Sequence, residues 1–263
     1  KTDYKTVKVE VKGDVAVLAL NNPPVNQLSA HFVQEMADAL LQAGSDKAIK
    51  AVILTGTGKN FIAGADITEI QKVKDKKFLL PRVMENHRFI NAIEDAAKPV
   101  IAAINGHCLG GGLEIAMACH YRIAGQGVQI GQPEVQIGLI PGAGGTQRLP
   151  RLIGFADALQ MITTGNPISA EEGLKKGVLD EVVPAHQLLD QGLKAARRFI
   201  SGELNHKARL TRNKTDKLPK PEEKAGIVVF AKGMAAKQAK GYIAPFKAIE
   251  AMERGLTDNF EGD

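Results

Sequence analysis

Three consecutive glycines stand out in the sequence Asn105-Gly-His-Cys-Leu-Gly-Gly-Gly-Leu-Glu-Ile115. A short apolar run at residues 100–104 precedes it, and this pattern predicts a buried strand that continues through three glycines into an apolar helix. Small residues at such a turn let a ligand approach the backbone, and the unpaired N–H groups at a helix start attract negative charge. The alternative is that the glycines only permit tight packing.

A second strand-to-helix turn follows another apolar run, at residues 51–54. It reads Phe61-Ile-Ala-Gly-Ala-Asp-Ile67 and, like the first turn, places small residues where a predicted strand ends. If the two turns face each other, their N–H groups can hold one oxyanion between them. The sequence therefore supports the hypothesis of an anion-stabilising site.

Glu114 lies one turn into the helix predicted from the first stretch, among the apolar residues 113–119. We expect its carboxylate to be buried. Burial raises the pKa of a carboxyl group, whereas the N-terminus of a helix lowers it, so the sign of the net shift stays open at this point. The alternative is an exposed first-turn glutamate that interacts with the helix dipole.

A second carboxylate in apolar company is Glu134, in the segment 130–148. It follows Pro133 in what we expect to be a rigid loop, close to Val135 and Ile137. Two carboxylates on elements that meet at one site suit general acid-base catalysis, because differing environments can separate their pKa values. The sequence does not show whether the two residues meet.

Other glycine-rich and catalytic motifs do not fit the chain. Gly142-Ala-Gly-Gly-Thr-Gln147 begins like a dinucleotide-binding motif but has Gln147 where the third glycine is required, and the phosphate-binding P-loop pattern is absent. The sequence also lacks the Gly-x-Ser-x-Gly elbow of serine hydrolases and the His-Glu-x-x-His pair of zinc proteases. The glycines therefore point to another chemistry.

Hydrophobic periodicity predicts an α/β chain. Alternation over residues 6–12 and a second apolar run at 15–20 predict a β-hairpin, and three- and four-residue spacing predicts a helix over 30–43 capped by Ser29. The pattern beyond residue 169 is mostly helical, so the C-terminal third is predicted to be a helical extension. The further helices are predicted over residues 78–96, 188–200, 222–232 and 242–252.

The composition excludes several classes of protein. With 263 residues and 44% hydrophobic content the chain can form one large globular domain, and its longest apolar runs are far shorter than the roughly 20 residues that cross a bilayer. Cys108 and Cys119 have no spacing typical of a metal site or a disulfide framework, so we expect both to be buried and inert. A net charge of +5 fits an anionic ligand, nucleic acid or an ordinary solvated surface.

Four segments in this order resemble the enoyl-CoA hydratase (crotonase) superfamily: residues 22–28, 61–67, 110–114 and 132–148. The resemblance covers nearly the whole chain. It implies an α/β fold in which ββα repeats wind into a spiral, with C-terminal helices that mediate homotrimers or homohexamers. We accordingly expect a crotonase spiral core over residues 1–200 and a C-terminal helical region over 201–263.

The resemblance also assigns roles to individual residues. The N–H groups of Ala65 and Gly111 are expected to form an oxyanion hole for a thioester carbonyl. Glu114 is expected to deprotonate the water that attacks C3 of an enoyl-CoA, and Glu134 to protonate C2. Gln132 and Gly142 are expected to position Glu114 and the water. The residues expected to bind the CoA part of the substrate are Val25, Leu28, Ala63, Asp66 and Ile67.

These assignments predict an enoyl-CoA hydratase of the fatty-acid β-oxidation type. CoA is expected only as part of the substrate, with no separate cofactor, no metal and no membrane partner. An enoyl-CoA isomerase that shuttles a proton with Glu134 is the main alternative. RNA binding through the basic segment 194–224 is less favoured, because Phe199 is its only aromatic residue. We expect a cytoplasmic location, or the mitochondrial matrix in a eukaryote.

One further resemblance concerns the C-terminal region. Residues 241–249, Gly-Tyr-Ile-Ala-Pro-Phe-Lys-Ala-Ile, resemble the end of the hydratase portion in multifunctional fatty-acid oxidation proteins. An ordinary C-terminal helix explains the same residues equally well. The chain is therefore interpreted either as a stand-alone relative or as part of a longer protein.

Overall fold

The computed structural model describes residues 3–72, 76–238, 241–256 and 260. Its strands are β1 (Val7–Lys12), β2 (Val15–Leu20), β3 (Ala51–Gly56), β4 (Asn60–Ile62), β5 (Val100–Ile104), β6 (His107–Leu109), β7 (Tyr121–Gly125), β8 (Gln129–Gly131), β9 (Ile168–Ser169) and β10 (Glu181–Val183). Its helices are α1 (Ala30–Ser45), α2 (Ile67–Gln71), α3 (Lys76–Glu94), α4 (Gly111–Ala118), α5 (Gly145–Ile153), α6 (Phe155–Thr164), α7 (Ala170–Lys176), α8 (Leu188–Ile200), α9 (Pro221–Gln238) and α10 (Ala244–Arg254). Short 3-10 helices cover Glu134–Ile137, Ala185–Gln187, His206–Arg209 and Thr211–Asn213.

The chain repeats a strand-strand-helix unit. Strands β3 and β4 lead into α2 and α3, β5 and β6 lead into α4, and β7 and β8 lead towards α5. The first strand of each unit joins a six-stranded sheet in the order β1-β2-β3-β5-β7-β10, and the second joins a four-stranded sheet in the order β4-β6-β8-β9. Neighbouring strands from β2 to β10 in the larger sheet are parallel. This arrangement confirms the predicted spiral of ββα repeats.

Both faces of the sheet are largely buried along β2, β3, β5 and β7, which explains the continuous apolar runs of these strands. On one face, Val17 and Ile53 belong to a cluster with Phe199 of α8. On the other face, Leu18 and Leu54 pack into the main core. The strands therefore place alternate side chains into two different apolar layers, as the two-residue period of a strand requires.

The predicted secondary structure agrees with most elements. The hairpin forms with Val7 opposite Leu20, and Ser29 caps α1 by accepting a hydrogen bond of 3.3 Å from the Phe32 N–H. Helix α8 has the predicted bounds of residues 188–200. The mostly helical C-terminal third also contains β10, a three-residue strand that joins the sheet beside β7. Such a short strand carries too few residues for a readable periodicity.

The C-terminal helices lie on the middle of the chain. Helix α10 packs against α5 and α6, and α9 packs against α10 and α6. Within the described ranges, none of the helices is both long enough and apolar enough to cross a bilayer. The division expected between residues 200 and 201 stays a prediction.

Candidate active site

The two glycine turns of the sequence lie side by side. A Cβ atom added to Gly110 would lie 3.6 Å from the Gly64 Cα, and one added to Gly64 would lie 3.7 Å from the Leu109 carbonyl oxygen. Gly64 and Gly110 have φ angles of 114° and 54°, which L side chains rarely adopt. Glycine is therefore required at both positions by backbone conformation, and the ends of β4 and β6 meet at one place.

The next glycines bring α4 close to its neighbours. A Cβ atom at Gly112 would clash with the Ile62 carbonyl oxygen, and one at Gly111 would lie 2.6 Å from the Leu28 Cδ1 atom. The packing explanation of these glycines is thus correct for Gly112. It does not exclude a second role for the turn, because the same close packing fixes where the first N–H groups of α4 point.

The two expected oxyanion donors occupy positions where the fold leaves an N–H group unpaired. Leu28 pairs with the two neighbours of Ala65, donating to the Gly64 oxygen at 2.8 Å and accepting from the Asp66 N–H at 3.1 Å. The Ala65 N–H therefore points away from that pairing. Gly111 is the first residue of α4, where an N–H has no acceptor within the helix. Within the described ranges neither N–H donates to a protein acceptor.

Glu114 is buried, with 3% of its surface exposed. Its Oε1 atom accepts hydrogen bonds from the Ala143 N–H at 2.8 Å and the Gly145 N–H at 2.7 Å. Burial raises the pKa of this carboxyl group, although the two hydrogen bonds and the charge of Arg148 lower it in part. The net shift, which the sequence left open, is upward.

Glu134 begins the short helix Glu134–Ile137 and is half-buried. Its Oε1 atom lies 3.2 Å from the position of a Cβ atom added to Gly110, so the carboxylate faces the first glycine turn. Burial, together with the negative charge of Glu114, raises the pKa of Glu134 to about 8. The loop expected around this residue is a single 3-10 turn, because Pro133 and the left-handed Gly138 bound it.

The two carboxylates therefore share one site. Each affects the protonation of the other, and their surroundings differ: Glu114 is held by two backbone N–H groups, whereas Glu134 faces the glycine turn. With a pKa near 8, Glu134 is largely protonated at neutral pH and can donate a proton. A site with one carboxylate close to a proton donor suits general acid-base catalysis.

Gln132 lies beside Glu134, and Gly142 lies in the loop whose N–H groups bond Glu114. Gln132 is fully buried. When its side-chain amide nitrogen faces Glu134, it donates hydrogen bonds to the carboxylate, at 3.1 Å to Oε1 and 3.3 Å to Oε2. Gly142 directly precedes Ala143, the donor to Glu114. Gln132 therefore has a contact with Glu134 that the sequence did not predict. The positioning of Glu114 and the water by Gln132 and Gly142 stays a prediction.

The five residues expected to bind CoA come together along the glycine turn at residues 61–67. The Ala63 N–H donates to the Val25 oxygen at 3.3 Å, and Leu28 pairs beside Ala65 as described above. The Asp66 side chain caps α2 by accepting from the Thr68 N–H at 2.9 Å. The last of the five, Ile67, is 44% exposed. Their contact with CoA stays a prediction.

The sequence reasoning missed a buried ion pair behind the site. The Arg148 Nη2 atom lies 2.7 Å from the Glu94 Oε2 atom and 2.8 Å from the Asn91 Oδ1 atom, and both charged side chains are 1% exposed. The charge of Arg148 acts on Glu114. A further missed residue is the half-buried His87 of α3, whose pKa is lowered chiefly by burial. His87, Asn91 and Glu94 recur at helical spacing. This spacing is the sequence signal that could have predicted a polar face on α3.

Across residues 3–72, 76–238 and 241–256, no group of three His, Cys, Asp or Glu side chains is arranged to hold a metal ion. Cys108 and Cys119 are buried as expected, and burial raises the pKa of both thiols, that of Cys119 to about 12.

Comparison with known proteins identifies relatives over nearly the whole chain. The family model described as enoyl-CoA hydratase/isomerase matches residues 10–259. The "Glyoxysomal fatty acid beta-oxidation multifunctional protein MFP-a" of Brassica napus is 41% identical over 95% of this chain, which spans 35% of that protein's length. A "Probable enoyl-CoA hydratase" of Bacillus subtilis is 43% identical over 66% of this chain and 67% of its own length.

A solved structure supports the same assignment. The enoyl-CoA hydratase from Bacillus anthracis has a TM-score of 0.71 and 31% sequence identity, and the match covers 98% of this chain and 100% of that one. The match extends from the hairpin through the glycine turns to the C-terminal helices, as the resemblance of the four segments predicts. The chain belongs to the enoyl-CoA hydratase/isomerase family.

Proposed function

We propose that this chain hydrates 2-enoyl-CoA thioesters to 3-hydroxyacyl-CoA, the hydration step of fatty-acid β-oxidation. The observation that carries the proposal is the pair of interacting carboxylates, Glu114 and Glu134, beside two adjacent glycine turns. Relatives named as enoyl-CoA hydratases and as multifunctional β-oxidation proteins support it. The raised pKa of Glu134, about 8, also supports it, because hydration needs an acid as well as a base.

The thioester carbonyl is proposed to bind between the N–H groups of Ala65 and Gly111. Negative charge develops on this oxygen when water adds to the conjugated double bond. Two fixed donors, one of them at the start of α4, stabilise that charge without any reorganisation of solvent. Removing one donor of such a pair typically lowers the rate by about 10²- to 10³-fold.

Acid-base catalysis is divided between the two carboxylates in this proposal. Glu114 accepts a proton from water as the water oxygen bonds to C3, and the electron pair of the C2–C3 π bond moves towards C2 and the carbonyl. Glu134 then transfers its proton to C2. The raised pKa of Glu134, about 8, keeps this proton in place at neutral pH. CoA takes part only as the carrier of the acyl group.

The proposal is tested with crotonyl-CoA, a short conjugated enoyl thioester. We expect the ultraviolet absorbance of its conjugated system to decay when the protein is added. Glu134→Gln should abolish most of the decay while leaving the circular dichroism spectrum unchanged. Glu171→Gln, an exposed glutamate in the first turn of α7, is the matched control and should keep full activity.

Two outcomes contradict the proposal. Crotonyl-CoA that stays unchanged with the folded wild-type protein excludes hydratase activity, and wild-type activity in Glu134→Gln excludes Glu134 as the proton donor. A 3-enoyl-CoA substrate separates the isomerase alternative, because isomerisation creates conjugated absorbance instead of removing it. If only this second reaction occurs, the chain is an isomerase.

We further infer that the chain forms homotrimers or homohexamers. An apolar surface supports this inference: Val229 and Phe230 on α9 are 72% and 67% exposed, and Tyr242 and Ile243 before α10 are 60% and 70% exposed. Exposed apolar residues grouped in this way mark association surfaces. Analytical ultracentrifugation should give the mass of three or six chains, and Phe230→Lys should shift the protein towards monomers. A wild-type monomer would contradict the inference. The cytoplasmic location stays a prediction.

A further inference from the structure

The loop over residues 22–28, between β2 and α1, contains a buried polar side chain that the proposed chemistry does not use. This residue is Asn26, which is 3% exposed and has a φ angle of 55°. Among the residues that the structure describes, it is the only one other than glycine with a positive φ. Asparagine tolerates this left-handed conformation better than most residues, so the backbone gives one reason for its presence.

The side-chain amide of Asn26 makes hydrogen bonds that the backbone conformation does not require. Its Nδ2 atom donates to the carbonyl oxygens of Leu20, at 3.2 Å, and of Asn60 and Phe61, each at 3.1 Å. Its Oδ1 atom accepts from the Asn22 N–H at 2.7 Å. The first acceptor ends β2 in the larger sheet, and the other two lie in β4 of the smaller sheet. One buried amide thus joins the loop to strands of both sheets.

Two positions further along this loop, Leu28 contacts both turns of the proposed oxyanion hole. Its backbone pairs with the neighbours of Ala65, because its N–H donates to the Gly64 oxygen at 2.8 Å and its oxygen accepts from the Asp66 N–H at 3.1 Å. Its side chain packs against the start of α4, where a Cβ atom added to Gly111 would lie 2.6 Å from the Leu28 Cδ1 atom. The position of the loop therefore affects both N–H donors.

We propose that Asn26 is a positioning residue for the oxyanion hole: its buried amide fixes the 22–28 loop, and Leu28 then holds the N–H groups of Ala65 and Gly111 at the distance that one oxygen atom needs. The proposal rests on the proposed hydratase function for its kinetic consequence, but not for its structural one. Donors of this kind stabilise charge only when they are fixed before the reaction. A misplacement of about 1 Å can lower a rate by about 10²-fold.

The test uses Asn26→Gly, which removes the amide but adopts a positive φ without strain. The matched control is Asn105→Ala: this amide also accepts from a backbone N–H, of Gly56 at 2.8 Å, and donates to a carbonyl oxygen, of Gly58 at 3.0 Å, but it fixes the turn between β3 and β4. The first measurement is hydrogen exchange of the Leu28 amide, which requires no substrate. We expect exchange to be faster by about ten-fold in Asn26→Gly and unchanged in the control. If Asn26→Gly does not fold, Asn26→Ser provides the same comparison.

The second measurement reports on the oxyanion donors themselves. Butyryl-CoA has the thioester carbonyl group but no C2–C3 double bond, so it cannot be hydrated. With an isotope label at the carbonyl carbon, its C=O stretching frequency should fall when it saturates the wild-type protein, because two N–H groups polarise the bond. We expect a smaller shift in Asn26→Gly and the wild-type shift in Asn105→Ala. A loss of stability alone would leave the frequency of the bound ligand unchanged.

The hydration of crotonyl-CoA provides the kinetic test. Asn26→Gly should lower kcat by about ten-fold, because the donors act on charge that develops in the transition state, and Asn105→Ala should keep the wild-type kcat. Wild-type exchange of the Leu28 amide in Asn26→Gly would overturn the proposal. A raised KM with the wild-type kcat and carbonyl shift would also overturn it, because the loop would then position only CoA. A wild-type protein that shifts the butyryl-CoA carbonyl frequency but leaves crotonyl-CoA unchanged contradicts only the hydratase function.

Discussion

Glu114 and Glu134 lie on different secondary-structure elements, although each carboxylate affects the protonation of the other. Glu114 is on the first turn of α4, where two backbone N–H groups bond its carboxylate and Arg148 adds a positive charge. Glu134 begins a short 3-10 helix, where burial and the charge of Glu114 dominate. Fixed donors favour the ionised form and a neighbouring carboxylate favours the protonated form. Burial raises the pKa of both carboxyl groups, so the N–H donors and Arg148 are what favours ionisation at Glu114. This difference supports the proposed roles of Glu114 as the base and Glu134 as the acid.

Removing the two carboxylates together tests this comparison with the largest expected effect. We expect Glu114→Gln and Glu134→Gln each to lower kcat for crotonyl-CoA by about 10²- to 10⁴-fold. The double variant should lose little more than the worse single variant, because an acid and a base that serve one step act as a unit. Losses that multiply in the double variant would show that the two residues act independently.

Arg148 sharpens the comparison from the side of Glu114. Arg148→Met leaves Glu94 buried without its counter-charge, so we expect the free energy of unfolding to fall by about 3–5 kcal/mol, measured by chemical denaturation. The control is Arg198→Met. Arg198 pairs with Glu203 at the same distance, 2.7 Å, but the two side chains are 37% and 59% exposed, so a loss of about 0–1 kcal/mol is expected. Equal losses of unfolding free energy in the two variants would contradict the conclusion that burial makes the Arg148–Glu94 pair important for stability.

Gly145 gives a smaller, steric test of the same region. A Cβ atom there would lie 2.9 Å from the Glu114 Oε1 atom, so Gly145→Ala should displace the carboxylate and lower kcat by about 10²-fold. The free energy of unfolding should fall by about 1–3 kcal/mol. Gly44→Ala in α1 is the matched control: its Cβ meets open space, and we expect a gain of about 0.5–1 kcal/mol. An unchanged kcat in Gly145→Ala would contradict the tight fit around Glu114.

The features that the sequence predicted are those that depend on neighbours along the chain. The cap at Ser29, the bounds of α8 and the burial of Glu114 follow from spacing and local composition, and all three are present. The three glycines between an apolar run and an apolar helix predicted the strand-to-helix turn before Glu114, and the positive φ of Gly110 agrees with it. For these features, the pattern of residues close together in the sequence was sufficient.

The features that the sequence did not predict depend on residues far apart. Glu94 and Arg148 are separated by 54 positions, and each alone resembles an exposed charge on a helix. The Ala143 and Gly145 N–H groups reach Glu114 only after α4 and α5 have packed. The contact between Gln132 and Glu134 requires knowledge of a side-chain direction, which spacing does not supply. The family resemblance located the carboxylates but not their supports.

The pH dependence of kcat/KM is the most direct test of the proposed roles of Glu114 as the base and Glu134 as the acid. It is measured with crotonyl-CoA from about pH 5 to about pH 10. Glu134 must be protonated to donate, so activity should fall as the pH rises through about 8, and this descending limb should be absent from the residual activity of Glu134→Gln. Glu114 must be ionised to accept a proton, so activity should also fall on the acidic side. A rate that stays constant through pH 8 in the wild type, or a descending limb that persists in Glu134→Gln, would contradict Glu134 as the acid.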